Sequence, residues 1–168
     1  MKKVYWGKFH SEFGELYGAK TESGLCYIGT PSETFETLEN WVKKHFKEAE
    51  LIEVQQQLQP YFTQLENYFS GEAQRLETSF DFYGTDFQKQ VWQVLASIPY
   101  GETTSYGDIA NRLENPKAVR AVGGAVGANP LLFFIPCHRV IQKDGRIGGF
   151  RGGVPLKIRL LELEQSTK

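Results

Sequence analysis

Cysteine, histidine and methionine are scarce in this chain of 168 residues, with two, three and one of each. The two cysteines, Cys26 and Cys137, are far apart and too few for a disulfide framework, so both are expected as thiols. With His10, His45 and His138 they form no C-x-x-C or H-x-x-x-H spacing, so no metal site is implied, and no motif calls for a cofactor. No apolar run approaches the roughly 20 residues that a membrane-spanning helix needs. The opening "MKKVYWGKFHSEFG" has Gly7, Lys8, His10 and Glu12 where a signal peptide would carry its apolar stretch, and the expectation is a cytoplasmic protein without a membrane partner. Low complexity is absent too. With 40% hydrophobic and 14% aromatic residues the chain has the material for a packed core, which excludes the disordered and collagen-like classes.

The net charge of −1 conceals a segregation. Residues 1–84 carry 8 Lys+Arg against 13 Asp+Glu, a net −5; residues 85–168 carry 11 against 7, a net +4. Between 116 and 161 stand Lys117, Arg120, Arg139, Lys143, Arg146, Arg151, Lys157 and Arg159, with Asp144 the only acid. Such a stretch fits a polyanion partner or a solvated basic face.

The first half reads as strands followed by helices. "KVYWGKF", "GELYGAKT" and "GLCYIGT" are aromatic and β-branched runs divided by Gly and Ser turns, a meander of hairpins. In "TFETLENWVKKHF", Phe35, Leu38, Trp41, Val42 and Phe46 recur at helical spacing. "PYFTQLENYFSG" predicts a second helix with Pro60 near its start, and "ETSFDFYGT" a strand and link. The boundary falls near residue 85, giving an N-terminal α/β domain over 1–84 and a C-terminal domain over 85–168. The second half opens on a helix in "TDFQKQVWQVLASIPYG", closed by Pro99 and Gly101. "TSYGDIANRL" follows as a short helix capped by Thr104 or Ser105, then "ENPKAVRAVGGAVGANP" as another, with Asn115 as its cap and Pro116 in its first turn. Two short helices joined this way resemble a helix-turn-helix. The fold class is α/β (α+β): a small antiparallel sheet with helices, then a mostly helical domain.

The second of those helices has an unusual surface. Val119, Val122 and Val126 share one side, read as the core face; Arg120, Gly123, Gly124 and Gly127 form a second stripe, and Ala118, Ala121 and Ala125 a third. Each interior glycine costs about 1 kcal/mol against alanine. Three of them imply that something packs very close, either another protein element or an external surface such as a nucleic-acid groove.

Cys137 lies in "IPCHRV", after "LLFFIP", which reads as a buried strand. An inert core thiol is one reading. The other is a nucleophile, with His138 and Arg139 favouring the thiolate. Neighbours on a strand face opposite ways, so His138 would serve Cys137 only through a turn or a water. Beyond it, "DGRIGGFRGGVPLK" sets five glycines around Phe150, a loop able to wall a flat ligand or simply a long turn before the last helix, "PLKIRLLELE".

"PCHRV", "RAVGGAVGANP", "SYGDIA" and "GGFRGGVPLKIRLLELE", spaced in that order over about residues 84–164, resemble the O6-alkylguanine-DNA alkyltransferases, also called methylated-DNA–protein-cysteine methyltransferases. The resemblance implies direct reversal of DNA damage: a monomer binds double-stranded DNA through the minor groove, flips out an alkylated guanine and takes the alkyl group irreversibly onto Cys137. It makes His138 and Glu164 the relay that removes the thiol proton through a water, and Asn129 the brace of the active-site turn. Tyr106 would touch the base, and Arg120 would fill the gap left by the flipped nucleotide. Val140, Phe150, Arg151 and Gly152 would line the guanine pocket with Lys157 nearby, and Ala118, Ala121 and Gly123 would meet the DNA. Phe150 replaces a tyrosine often found in the family, and Arg151 a smaller residue of some members. No zinc is carried over, because its N-terminal ligands are missing. Three alternatives stand beside this reading: a non-catalytic alkylated-DNA-binding protein, a cysteine hydrolase, and a helix-turn-helix regulator.

Overall fold

The computed structural model describes residues 1–168 and divides into two compact units, Met1–Tyr83 with Pro130–Leu132, and Gly84–Asn129 with Phe133–Lys168. No helix is long and apolar enough to cross a membrane.

In the first unit, β1 (Lys2–Ser11), β2 (Gly14–Lys20) and β3 (Leu25–Ile28) form the expected antiparallel meander. A fourth strand, β4 (Ala49–Glu53), pairs in parallel with β1, so the sheet is mixed, in the order β3-β2-β1-β4. Nothing in "AELIE" announces a strand; two glutamates in five residues lower its propensity, and pairing with β1 decides the outcome. Strand alternation gives each face of the sheet a helix. Val4, Ala19 and Cys26 pack with Leu38 and Val42 of α1 (Phe35–His45). On the opposite face Phe9 stacks on Phe62 of α2 (Gln55–Phe69) at 5.5 Å, and a Cβ at Gly18 would stand 3.1 Å from the same ring.

That second helix begins at Gln55 rather than beside Pro60, which lies inside it. An interior proline costs about 3 kcal/mol. Leu58, Phe62 and Leu65, all fully buried at helical spacing, each return roughly 1.5–3 kcal/mol and outweigh it. "ETSFDFYGT" is not a strand either. It makes a single bridge, in which Leu25 N–H donates to Ser79 O (3.0 Å) and Asp81 N–H to Leu25 O (2.9 Å). Pro130–Leu132 joins the unit through Ile28, whose N–H donates to Pro130 O at 2.8 Å.

The second unit is mostly helical. Thr85 and Gln88 form a capping box at the start of α3 (Asp86–Ala96). Ser105 Oγ accepts from Asp108 N–H at 3.1 Å and caps α4 (Tyr106–Arg112). The following helix, α5, runs over Val119–Gly127; residues 115–118 form a turn instead of the first helical turn expected at Asn115. Val122 and Val126 are buried as expected, but Val119 is 41% exposed, because the helix starts there. Trp92 fixes α5 against α3 by donating its indole N–H to Ala125 O at 2.8 Å. A two-residue strand, β5 (Thr104–Ser105), pairs in parallel with β6 (Val140–Ile141), and α6 (Val154–Thr167) closes the unit.

Candidate active site

"LLFFIP" is buried throughout yet is not a strand. The chain reverses within it. Phe133 adopts a positive φ of 69°, and Cys137 N–H donates to Ile135 O at 2.7 Å across Pro136 (φ −78°, ψ 65°), an inverse γ-turn. A 3₁₀ turn over Cys137–Arg139 follows, so adjacent residues no longer alternate between faces. Asn129 braces this reversal from the end of α5: its Nδ2 donates to Ile135 O at 2.8 Å, and its side chain also hydrogen-bonds the Cys137 thiol.

Behind the turn, α6 presents a buried stripe of Leu156, Leu160 and Glu164 at i, i+4 and i+8. The carboxylate meets His138 Nε2 at 2.6 Å and accepts from Arg139 Nε at 2.8 Å and Nη2 at 3.0 Å, with Gly101 N–H at 3.2 Å. Arg139 Nη1 also donates to Ile98 O at 2.6 Å. Arg139 is therefore spent on Glu164 and Ile98, and the expectation that it favours the Cys137 thiolate is corrected. Burial pushes the thiol up from its ordinary value, against the Asn129 hydrogen bond and the charges of Arg151 and Lys157. Burial likewise pushes His138 down, with Glu164 opposing. Near neutral pH the pair rests as thiol and neutral imidazole, the protonation states suited to general-base removal of the thiol proton.

Cys137 opens on a pocket of about 230 Å³ lined by Tyr106, Gly123, Val126, Gly127, Gly149, Phe150 and Arg151. Phe150 stands edge-on to His138 at 6.4 Å, and a Cβ on Gly152 would come 2.7 Å from its ring, so glycine there keeps the wall in place. Val140 is fully buried and does not line the pocket; its carbonyl accepts instead from Lys157 Nζ at 2.6 Å. The same ammonium holds Ile147 O at 2.6 Å and Gly149 O at 3.0 Å. Lys157 is thus a peg under the glycine loop, its charge turned to carbonyls rather than to a ligand. Tyr106, half-buried, is held protonated to higher pH by burial and by Cys137.

On α5 the external reading of the glycine stripe is favoured. Added Cβ atoms at Gly124 and Gly127 would meet nothing within 4 Å, so no protein element requires them. Gly123 is 4.0 Å, measured from such a Cβ, from the Tyr106 ring. Arg120 and Ala121 are exposed, and Ala118 is partly so. Besides Val140, sequence reasoning misplaced Arg139. Its signal was an acid, Glu164, set at i+8 on an otherwise leucine-lined helical stripe, which demands a buried cation.

Comparison with known proteins identifies the family. Residues 4–82 match the family model described as "6-O-methylguanine DNA methyltransferase, ribonuclease-like domain", and residues 86–166 the one described as its DNA binding domain. The chain is 42% identical over 162 residues to an inducible methylated-DNA–protein-cysteine methyltransferase of Bacillus subtilis, covering 96% of this chain and 90% of that protein. It is 50% identical over 163 residues to the Mycobacterium leprae methyltransferase of the same name (96% and 93% covered). Among solved structures it is similar to Mycobacterium tuberculosis OGT in complex with DNA, at a TM-score of 0.84 and 37% identity over 97% of this chain and 94% of that one. The chain belongs to the methylated-DNA–protein-cysteine methyltransferase family.

Proposed function

We propose that this protein repairs DNA by moving an alkyl group from O6 of guanine onto Cys137, once per molecule. The observation that carries this is the placement of Cys137 at a pocket of about 230 Å³, directly before the buried His138–Glu164 pair. A base inside a duplex is out of reach of such a pocket, so the target must be flipped out, at a cost of a few kcal/mol. Glu164 fixes the His138 ring through Nε2, and the thiol proton passes through a water to the other ring nitrogen. The Cys137 sulfur then attacks the alkyl carbon, the carbon–O6 bond breaks, and guanine leaves with its charge neutralised by a proton. Tyr106, which lines the pocket and stays protonated, is placed to donate a hydrogen bond to the departing base. The product is a thioether, without the activated carbonyl that water could attack, so the cysteine is not regenerated.

In this reading α4, the turn and α5 act as a helix-turn-helix whose bare glycine and alanine surface enters the minor groove, Arg120 fills the vacated stack, and one protein molecule acts alone, in the cytoplasm. The test is the intact-protein mass after incubation with a duplex containing O6-methylguanine. It should rise by one methylene unit, map to Cys137, and never reset. Methylation on Cys26, or repair of many guanines per protein, would refute the proposal.

A further inference from the structure

Arg139 is buried, and its guanidinium reaches the carboxylate that also serves His138. Arg139 Nη2 and His138 Nε2 meet the same oxygen, Glu164 Oε2, at 3.0 and 2.6 Å. The other oxygen, Oε1, accepts from Arg139 Nε at 2.8 Å and from Gly101 N–H at 3.2 Å. Ile98 O accepts from Nη1 at 2.6 Å, and the Tyr100 ring centre lies 5.6 Å from the guanidinium carbon. The guanidinium is thus fixed by its surroundings, and it fixes the carboxylate in turn.

Counting charge gives this arrangement a chemical consequence. A buried carboxylate paired with a histidine alone draws a proton onto the ring, because the resulting ion pair is neutral as a whole. Here Arg139 already neutralises Glu164, so a proton on His138 leaves an uncompensated positive charge in the interior. The groups facing the ring from other elements do not change the sign. Lys157 of α6 is a second cation, and Phe150 of the glycine loop is uncharged. We propose that Arg139 is a positioning residue for alkyl transfer, which shares Glu164 with His138 and so keeps the ring a neutral base near neutral pH; this rests on the alkyl-transfer reading above. The ring can then take the thiol proton and readily part with it. As the sulfur–carbon bond forms and the carbon–O6 bond breaks, the electron pair leaves on guanine and the proton follows it there. Imidazole, carboxylate and guanidinium end as they began. The downward shift of His138 agrees with this balance: burial is its main cause, Glu164 opposes it, and Arg139 and Lys157 add to it.

The experiment is the pH profile of single-turnover transfer from a duplex containing O6-methylguanine, read from intact-protein mass for the parent, Arg139→Met and Arg139→Lys. In Arg139→Met the carboxylate belongs to His138 alone, and the acid limb should move up by about one pH unit or more. The loss against the parent is then about tenfold at the ordinary 6.5 of a histidine and shrinks steadily as the pH rises. Arg139→Lys keeps the charge without the fork, and should keep the limb of the parent. A limb that stays in place in Arg139→Met, with the rate lowered equally at every pH, marks a merely structural role and overturns the proposal. A limb that rises as far in Arg139→Lys overturns it too. Should Arg139→Met fail to fold, nitrogen-15 NMR of the parent tests the same point, since His138 is one of only three histidines. Its ring should be neutral at neutral pH, and an imidazolium there would refute the proposal. A parent that transfers no methyl group at any pH refutes the repair function itself, and this inference with it; an unmoved limb beside an active parent refutes this inference alone.

Discussion

Arg139 and Glu164 form a buried two-point ion pair, Nε to Oε1 at 2.8 Å and Nη2 to Oε2 at 3.0 Å, on the same carboxylate that holds His138. Removing one partner of such a pair strands a buried charge and costs about 3–5 kcal/mol. Arg139→Met should lower unfolding stability by that amount in urea titrations. Adding Glu164→Gln to it should restore part of the loss, since the stranded charge disappears. Additive losses in the double variant would mean that the two side chains do not act as a pair.

Glu164→Gln alone strands the Arg139 charge and so costs stability, but in the folded protein it also addresses chemistry. The amide keeps its place between Arg139 and His138 but no longer stabilises an imidazolium. Alkyl transfer should slow by about 10²-fold, in the range of general-base effects, while affinity for unmodified duplex stays close to that of the parent. Single-turnover transfer beside a DNA titration reads both. A parent-like rate from pH 6 to 9, a window that ends at the ordinary 9.0 of a thiol, would remove the relay from the mechanism.

The pH profile follows from two opposite shifts. His138 is held below its ordinary 6.5, so it stays neutral and able to accept a proton down through that value. Cys137 is held above its ordinary 9.0, so no thiolate accumulates before that pH. Transfer should therefore be level between about pH 6.5 and 9.0 and fall only in more acid solution, as the imidazole protonates. A rate that climbs tenfold per pH unit through 7 and 8 would instead report direct thiol ionisation without a base.

How much of this was legible in the sequence differs by residue. The strands β1 to β3 and the amphipathic helix α1 follow from periodicity and turn residues, which are local signals. The strand β4 and the first turn of α2 do not, because partners far along the chain create them: β1 for Ala49–Glu53, and the sheet face for Leu58. The motif around Cys137 pointed to the site. Its geometry did not follow from the sequence, since "LLFFIP" has a strand's composition while a γ-turn and a positive-φ phenylalanine reverse it. The partners of Arg139 and Lys157 were hidden for a related reason. Charged residues in a sequence read as surface, and only the fold shows which are buried against a carboxylate or a ring of carbonyls.

Gly124 separates stability from function. It lies inside α5, and a Cβ there would meet nothing within 4 Å. Gly124→Ala should stabilise the protein by up to about 1 kcal/mol through helix propensity. If the glycine surface lies against DNA, the same methyl group should weaken duplex affinity and slow repair. A stabilised variant with unchanged affinity would move the DNA contact elsewhere.

Arg120 tests base flipping itself. It is exposed on α5 and is the one long side chain on the glycine stripe. Proteins that read sequence in the major groove do so with long polar side chains at base edges. A helix with a single arginine among glycine and alanine reads almost nothing, which suits a protein that must inspect every guanine. An arginine entering the stack in place of the flipped nucleotide would offset part of the unstacking cost. Arg120→Ala should then slow repair of O6-methylguanine in duplex DNA strongly, yet hardly change reaction with O6-benzylguanine as a nucleobase in solution, which needs no flipping. A phosphate contact predicts another pattern: weaker binding rescued at low salt, with one counterion fewer released. Equal losses on duplex and nucleobase would mean that Arg120 supports the fold or the pocket, and the stack-filling role would be wrong.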